Sequence, residues 1–239
     1  MHKLMWVISL SAILLAAAGV AAQEAPAPTP QRVEIPAPDG LMLTGDLYLP
    51  TATGETGAPA ALLLHMLYST RQSWQPLVAP LLEAGYAVLA VDLRGHGETG
   101  GAADWALADQ DTLAWIAWLR QQPGIDPARI NLVGSSIGAN LALRAAAADD
   151  DIETVLALSP GLDYQGVTTE AAMAKIRRPV FIAVAQVDGS TNSVKKLAGL
   201  IQGEGLVRYY NGSRHGTQFL NVPEVVALMV AWLDLYNQD

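Results

Sequence analysis

The sequence has no cysteine among its 239 residues. Disulfides, thiolate metal sites, a cysteine nucleophile and a lipidated-cysteine anchor are therefore excluded. Basic residues are scarce: 14 Lys and Arg stand against 23 Asp and Glu, a formal net charge of −9. A nucleic-acid partner needs a basic field to displace counterions from phosphate, and this chain carries the opposite sign. Charged residues of both signs make up only 15%, against 51% hydrophobic side chains, which excludes an intrinsically disordered chain. No collagen, heptad or solenoid period is present. Histidine occurs four times, and that shortage narrows the search for a catalytic base.

At the N-terminus, His2 and Lys3 precede an almost wholly apolar run from Leu4 to Val20, then small residues through Ala22, then polar Gln23 and Glu24. Basic, apolar, small and polar, in that order, is the pattern of a secretory signal. Residues 1–22 are read as a signal peptide, removed after Ala22. The mature chain is expected to be exported, to a periplasm or the medium, with no stable membrane insertion. Prolines at 26, 28 and 30 make residues 23–31 an extended linker, and residues 32–239 read as one domain.

That domain begins with alternation. Arg32 to Ile35 and Leu41 to Leu49 flank a Pro38-Asp39-Gly40 turn and read as a hairpin. Short continuous apolar runs follow: Ala60 to Leu64, Tyr86 to Val91, Ile130 to Val133, Thr154 to Leu158 and Val180 to Val184. Such runs suit strands buried on both faces of a parallel sheet. Between them, Trp105, Ala108, Thr112, Ile116 and Leu119 keep helical spacing behind a potential Asp104 cap, Ile137 to Ala148 is rich in strong helix formers, and Val225 to Tyr236 closes the chain as a helix. Alternating strands and helices predict an α/β fold, a mostly parallel central sheet flanked by helices.

Gly134-Ser135-Ser136-Ile137-Gly138 joins one of those runs directly to the Ala-rich helix. A strand-to-helix turn this sharp strains its central residue and presents the Ser136 hydroxyl at the carboxyl edge of the sheet, with the flanking glycines removing side chains that would collide. A serine needs a base, and on this elbow the partners follow in the order nucleophile, acid, base. His2 lies in the signal, and His65 and His96 precede the serine, which leaves His215 in a polar loop before the last helix. The acid should end a late strand: Asp188 follows Val180 to Val187, with Asp163 as the alternative. Ile137 N–H and a donor from the loop after Leu64 would form the oxyanion hole, Leu67 preferred and Met66 second.

Other site-like residues read as structural. Asp92-Leu93-Arg94-Gly95-His96-Gly97 is a buried turn whose Asp and Arg satisfy loop carbonyls and amides. His65 and His96 lack a third metal ligand at a helical spacing. Trp105, Trp115 and Trp118 are packing residues.

The ordered set of Gly134 to Gly138, Asp188 and His215, with Asp92 to Gly97, resembles the α/β-hydrolase superfamily, above all its small dienelactone-hydrolase-like serine esterases. The resemblance runs from about Arg32 to Leu235. It implies a Ser136–Asp188–His215 triad and ester hydrolysis. Two departures stand out: true dienelactone hydrolases use a cysteine nucleophile, and many relatives have His-Gly where this chain has His65-Met66. Only about 20 residues separate Ser159 from Pro179, room for a loop and one short helix such as 169–175 and not for a large cap domain. A shallow site for small or polymer-attached esters is expected, with no metal or organic cofactor. Peptidase, thioesterase or acyltransferase chemistry on the same residues, or a non-catalytic binding role, are the competing readings.

Overall fold

In the computed structural model the described residues are 28–238; the signal-peptide reading of residues 1–22 lies outside them. The hairpin is β1 (Gln31–Pro36) paired antiparallel with β2 (Met42–Tyr48). The remaining sheet strands are β3 (Ala58–Leu64), β4 (Ala87–Val91), β5 (Ile125–Ser135), β6 (Ile152–Leu158), β9 (Val180–Ala185) and β10 (Gly205–Tyr210). They form one eight-stranded sheet in the order β1-β2-β4-β3-β5-β6-β9-β10, parallel from β4 to β10. The fold is the expected mostly parallel sheet flanked by helices.

Both faces of the sheet are covered, which is why its central strands are continuously apolar. Every residue of β4 and β9 is buried. Along β3 the side chains alternate between two cores: Ala60, Leu62 and Leu64 join α2 (Trp105–Leu119), α3 (Ile137–Ala148) and α5 (Thr191–Ala198), while Ala61 and Leu63 meet α1 (Gln75–Glu83) and α6 (Pro223–Tyr236). Asp104 caps α2 as expected, its carboxylate accepting from Ala106 N–H at 3.0 Å. Trp115 is buried, and Trp105 and Trp118 pack against the same core.

Two regions depart from the sequence reading. Residues 71–83 carry no strong helix signal, because Pro76 and Pro80 interrupt them. They nevertheless fold as a 3-10 turn (Arg71–Trp74) leading into α1, where Pro76 occupies the first turn and needs no N–H partner. Between β6 and β9 the expected loop and short helix are present, the helix as α4 (Glu170–Met173), but they follow a small antiparallel hairpin, β7 (Asp163–Tyr164) and β8 (Val167–Thr168).

The turn at 92–97 is buried and ionic. Asp92 accepts the N–H groups of Arg71 (2.8 Å) and Glu98 (2.9 Å) and pairs with the Arg71 guanidinium. Arg94 departs from expectation: it binds the carboxylates of Asp111 (2.7 Å) and Asp39 (2.6 Å) in place of loop carbonyls. The two Arg94 pairs fasten the turn to the β1–β2 turn and to α2.

Candidate active site

Six strand ends meet at that edge: β3 gives His65 to Tyr68, β4 gives Asp92, β5 gives Ser136, β6 gives Ser159, β9 gives Asp188 and β10 leads to His215. An open parallel sheet leaves a crevice here because its loops diverge to opposite faces.

Ser136 sits at φ 54 and ψ −117 between β5 and α3. That left-handed backbone is costly for a residue with a side chain. It is held by a hydrogen bond from Ser136 N–H to Leu158 O (2.8 Å) and by α3 winding onto the Ser136 carbonyl from Ala139 and Asn140. A Cβ at Gly134 would strike the backbone of Gly138 and Ala139, and one at Gly138 the carbonyls of Leu64 and His65. Both glycines therefore serve the close approach that the sequence reading assigned them.

The three residues predicted as a triad converge. Ser136 Oγ lies 2.8 Å from His215 Nε2, and His215 Nδ1 lies 3.0 Å from each oxygen of Asp188. All of these bonds form when Nδ1–H donates to the carboxylate and Nε2 accepts from the serine hydroxyl, the tautomer a general base requires. Burial alone would raise the Asp188 carboxyl, whose side chain is 2% exposed. Hydrogen bonds from His215, from Ser159 Oγ–H and from Ser190 N–H outweigh that and hold its pKa below the usual carboxylate value. Asp163, the alternative acid, accepts Gly166 N–H at the hairpin turn and makes no bond to His215.

Ile137 N–H, at the start of α3, and Leu67 N–H, in the loop after β3, have no hydrogen-bond acceptor among the described residues. The Met66 thioether packs against the histidine loop, 3.8 Å from Thr217 Oγ1. A cleft of about 570 Å³ opens beside His215, walled by Gly161, Asp163, Tyr164, Val187 and Ser213.

His65 and His96 have structural work behind the β3 loop. Buried His65 donates from Nδ1 to Met66 O (2.7 Å) and accepts at Nε2 from Leu93 N–H (2.9 Å). His96 Nε2 accepts from Tyr68 N–H at 3.3 Å. The two rings thus tie the β3 and β4 loops together. Burial drops the His65 pKa from 6.5 to about 4. The unfolded chain therefore takes up a proton below pH 6.5 that the folded chain refuses until about pH 4. This contribution to stability is complete above pH 6.5 and declines through that window, by about 3 kcal/mol at most. The measurable consequence is a steeper loss of urea-unfolding free energy between pH 6.5 and 4 in the wild type than in His65→Asn; parallel curves would refute it.

Sequence reasoning missed Ser159, whose Oγ donates to Asp188 Oδ2 at 2.6 Å and accepts from Gly216 N–H at 3.1 Å. It also missed Tyr164, whose ring meets His215 edge to face at 6.4 Å. No local motif marks either residue. The one available signal was that Ser159 ends a strand at the ligand-binding edge.

Residues 39–198 match the sequence family described as X-Pro dipeptidyl-peptidase (S15 family), a span that includes Ser136 and Asp188 and stops before His215. The chain is similar to the thiohydrolase aneE of Aspergillus aculeatus, 29% identical over 199 residues, covering 80% of this chain and 61% of that protein. It is also similar to YfhR of Escherichia coli, an uncharacterized protein, 32% identical over 111 residues, 45% of this chain and 38% of that one. The chain thus spans between about two fifths and three fifths of these curated relatives' length. Among solved structures, ferulic-acid-bound Est1E from Butyrivibrio proteoclasticus superposes with a TM-score of 0.75 at 18% identity, covering 87% of this chain and 100% of that one. At that identity the likeness is one of fold.

Proposed function

The chain belongs to the X-Pro dipeptidyl-peptidase (S15) family, on an α/β-hydrolase fold, and from that footing we propose that it is an exported serine hydrolase cleaving carboxylic esters. The supporting observation is the single run of hydrogen bonds from Ser136 through His215 to Asp188 at the strained elbow. In the proposed reaction Ser136 Oγ attacks the ester carbonyl while His215 Nε2 takes its proton. Asp188 keeps the ring in the required tautomer and stabilises the imidazolium. The oxyanion is received by the N–H groups of Ile137 and Leu67, with Met66 the alternative donor for Leu67. His215 then protonates the departing alcohol, and a water activated by the same imidazole cleaves the acyl-enzyme. Side chains, two backbone donors and water suffice for these steps.

The open cleft favours small or polymer-attached acyl esters over long buried chains, because no cap encloses the site among the described residues. The test is purified protein with nitrophenyl esters of increasing chain length and a fluorophosphonate probe. We expect stoichiometric labelling at Ser136 and an optimum at short acyl groups. An optimum at about twelve carbons or longer contradicts the open-site reading, and a protein inert to both probe and esters overturns the hydrolase assignment for this chain.

One observation favours a second reading, amide hydrolysis. The family whose pattern residues 39–198 match is described as one of X-Pro dipeptidyl-peptidases. Faster turnover of Xaa-Pro nitroanilides than of nitrophenyl acetate selects it.

A further inference from the structure

The hairpin of β7 and β8 has two residues in each strand, too few cross-strand bonds to persist unaided. It is fixed from below. Asn140, fully buried on α3 one turn beyond Ser136, accepts from Gly161 N–H (2.9 Å) and donates to Val167 O (2.7 Å). One side chain on the helix that carries the nucleophile thus grips both ends of the excursion. Thr169 Oγ1 donates to Gly161 O at 2.6 Å, and Asp163 accepts Gly166 N–H at 2.8 Å across the turn.

The residue held out by this device is Tyr164. Its ring occupies the space that a Cβ at Gly161 would fill and stands edge to face with the His215 imidazole, the planes at 84°. Its hydroxyl donates to Ser159 O at 3.2 Å. Ser159 is buried at φ 52, and each of its polar atoms is engaged: N–H donates to Ala183 O (2.8 Å), O accepts from Tyr164, and Oγ bridges Asp188 and Gly216 N–H. A contact on the hairpin therefore reaches the acid and the histidine loop through one residue. Burial raises the Tyr164 pKa, with nearby Ser190 and Ser136 hydroxyls partly offsetting it, so the phenol remains a proton donor.

We propose that Tyr164 is a positioning residue for the His215–Asp188 pair, acting through Ser159 and confining the imidazole with its ring edge. The inference rests on the triad reading given above. With three donors the Asp188 carboxylate is fixed in plane. Loss of the Tyr164 hydrogen bond loosens the Ser159 peptide, hence the Oγ that holds the carboxylate, hence the ring. Displacements of this kind lower the rate of the chemical step and leave ground-state binding unchanged.

The experiment compares wild type, Tyr164→Phe, Ser159→Ala and the double variant. It follows kcat and KM for nitrophenyl acetate together with the rate of phosphonylation by the fluorophosphonate. In the latter reaction Ser136 Oγ forms the O–P bond, fluoride leaves with the P–F electrons and His215 takes the hydroxyl proton. Tyr164→Phe is expected to lower kcat and the phosphonylation rate together by about 5-fold with KM within about 2-fold, Ser159→Ala to lower them by about 30-fold, and the double variant to be no slower than Ser159→Ala, since coupled residues do not add. Additive losses, a raised KM at constant kcat, or a Tyr164→Phe variant equal to wild type overturn the proposal. Should Ser159→Ala fail to fold, Tyr164→Phe, which keeps the ring, decides the matter through its kcat and KM. A wild-type protein that does not react with the phosphonate refutes the triad reading itself, an outcome distinct from all of these.

Discussion

Replacing Ser136 by alanine is expected to lower ester turnover about 10⁴-fold or more, because the acyl-enzyme has no other oxygen on which to form. The residual rate is set by whatever the oxyanion donors and substrate binding contribute to attack by water. Folding should be unaffected. The backbone bonds that hold the elbow, from Ser136 N–H to Leu158 O and from Ala139 and Asn140 to Ser136 O, do not involve the hydroxyl. His215 also keeps its bonds to Asp188. The thermal midpoint is therefore expected within about 2 °C of wild type, since the hydroxyl lost makes one hydrogen bond, to His215 Nε2. The decisive comparison is turnover and fluorophosphonate labelling of the two proteins at matched concentration. Ester hydrolysis persisting at wild-type rate in pure Ser136→Ala would remove the nucleophile from the proposal.

The second large effect is on stability. Gly138→Ala should destabilise the fold by about 3 kcal/mol or more, as a core overpacked against main chain has no side chain to move aside. The new Cβ would meet the carbonyls of Leu64 and His65, the last residues of β3 and the first of the loop that carries Leu67. Two remedies exist: α3 shifts away from the sheet, or the β3 loop moves. The first disturbs the packing of a helix whose residues 137–143 are all buried, and the second displaces a proposed oxyanion donor. Gly189→Ala is the control, because a Cβ there meets nothing within 4 Å; it is expected within about 0.5 kcal/mol of wild type. Urea-unfolding free energies measure both. Equal values for the two variants would show that the contact between α3 and the end of β3 is looser than the structure has it.

The three side chains that converge at the proposed site could be picked out of the sequence because each sits where a local pattern ends. Ser136 lies between an apolar run and an Ala-rich helix, Asp188 closes Val180 to Val187, and His215 is what remains when the other three histidines are excluded by position. The strands were legible for a similar reason: a sheet covered on both faces selects unbroken apolar segments, and those stand out in a chain. Residues 71–83 were not legible. Two prolines hide a helix whose stability comes from Trp74, Leu77, Val78 and Leu81 in the core, a tertiary contribution that overrides local propensity.

The supporting apparatus of the site is another matter. Asn140 reads as one more residue of a helix, Tyr164 as a loop aromatic and Ser159 as the end of a strand, and the side-chain bonds of Asn140 and Ser159 reach partners 21 to 57 positions away. The amino-acid order by itself marked the candidate reactive groups and most of the segments that become strand or helix, since both follow from short-range pattern and covalent chemistry. Which hydroxyl steadies the carboxylate, which histidines clasp two loops and which ring borders the imidazole were decided only when the sheet brought six strand ends together, because a hydrogen bond is a matter of distance in space and not of distance along the chain.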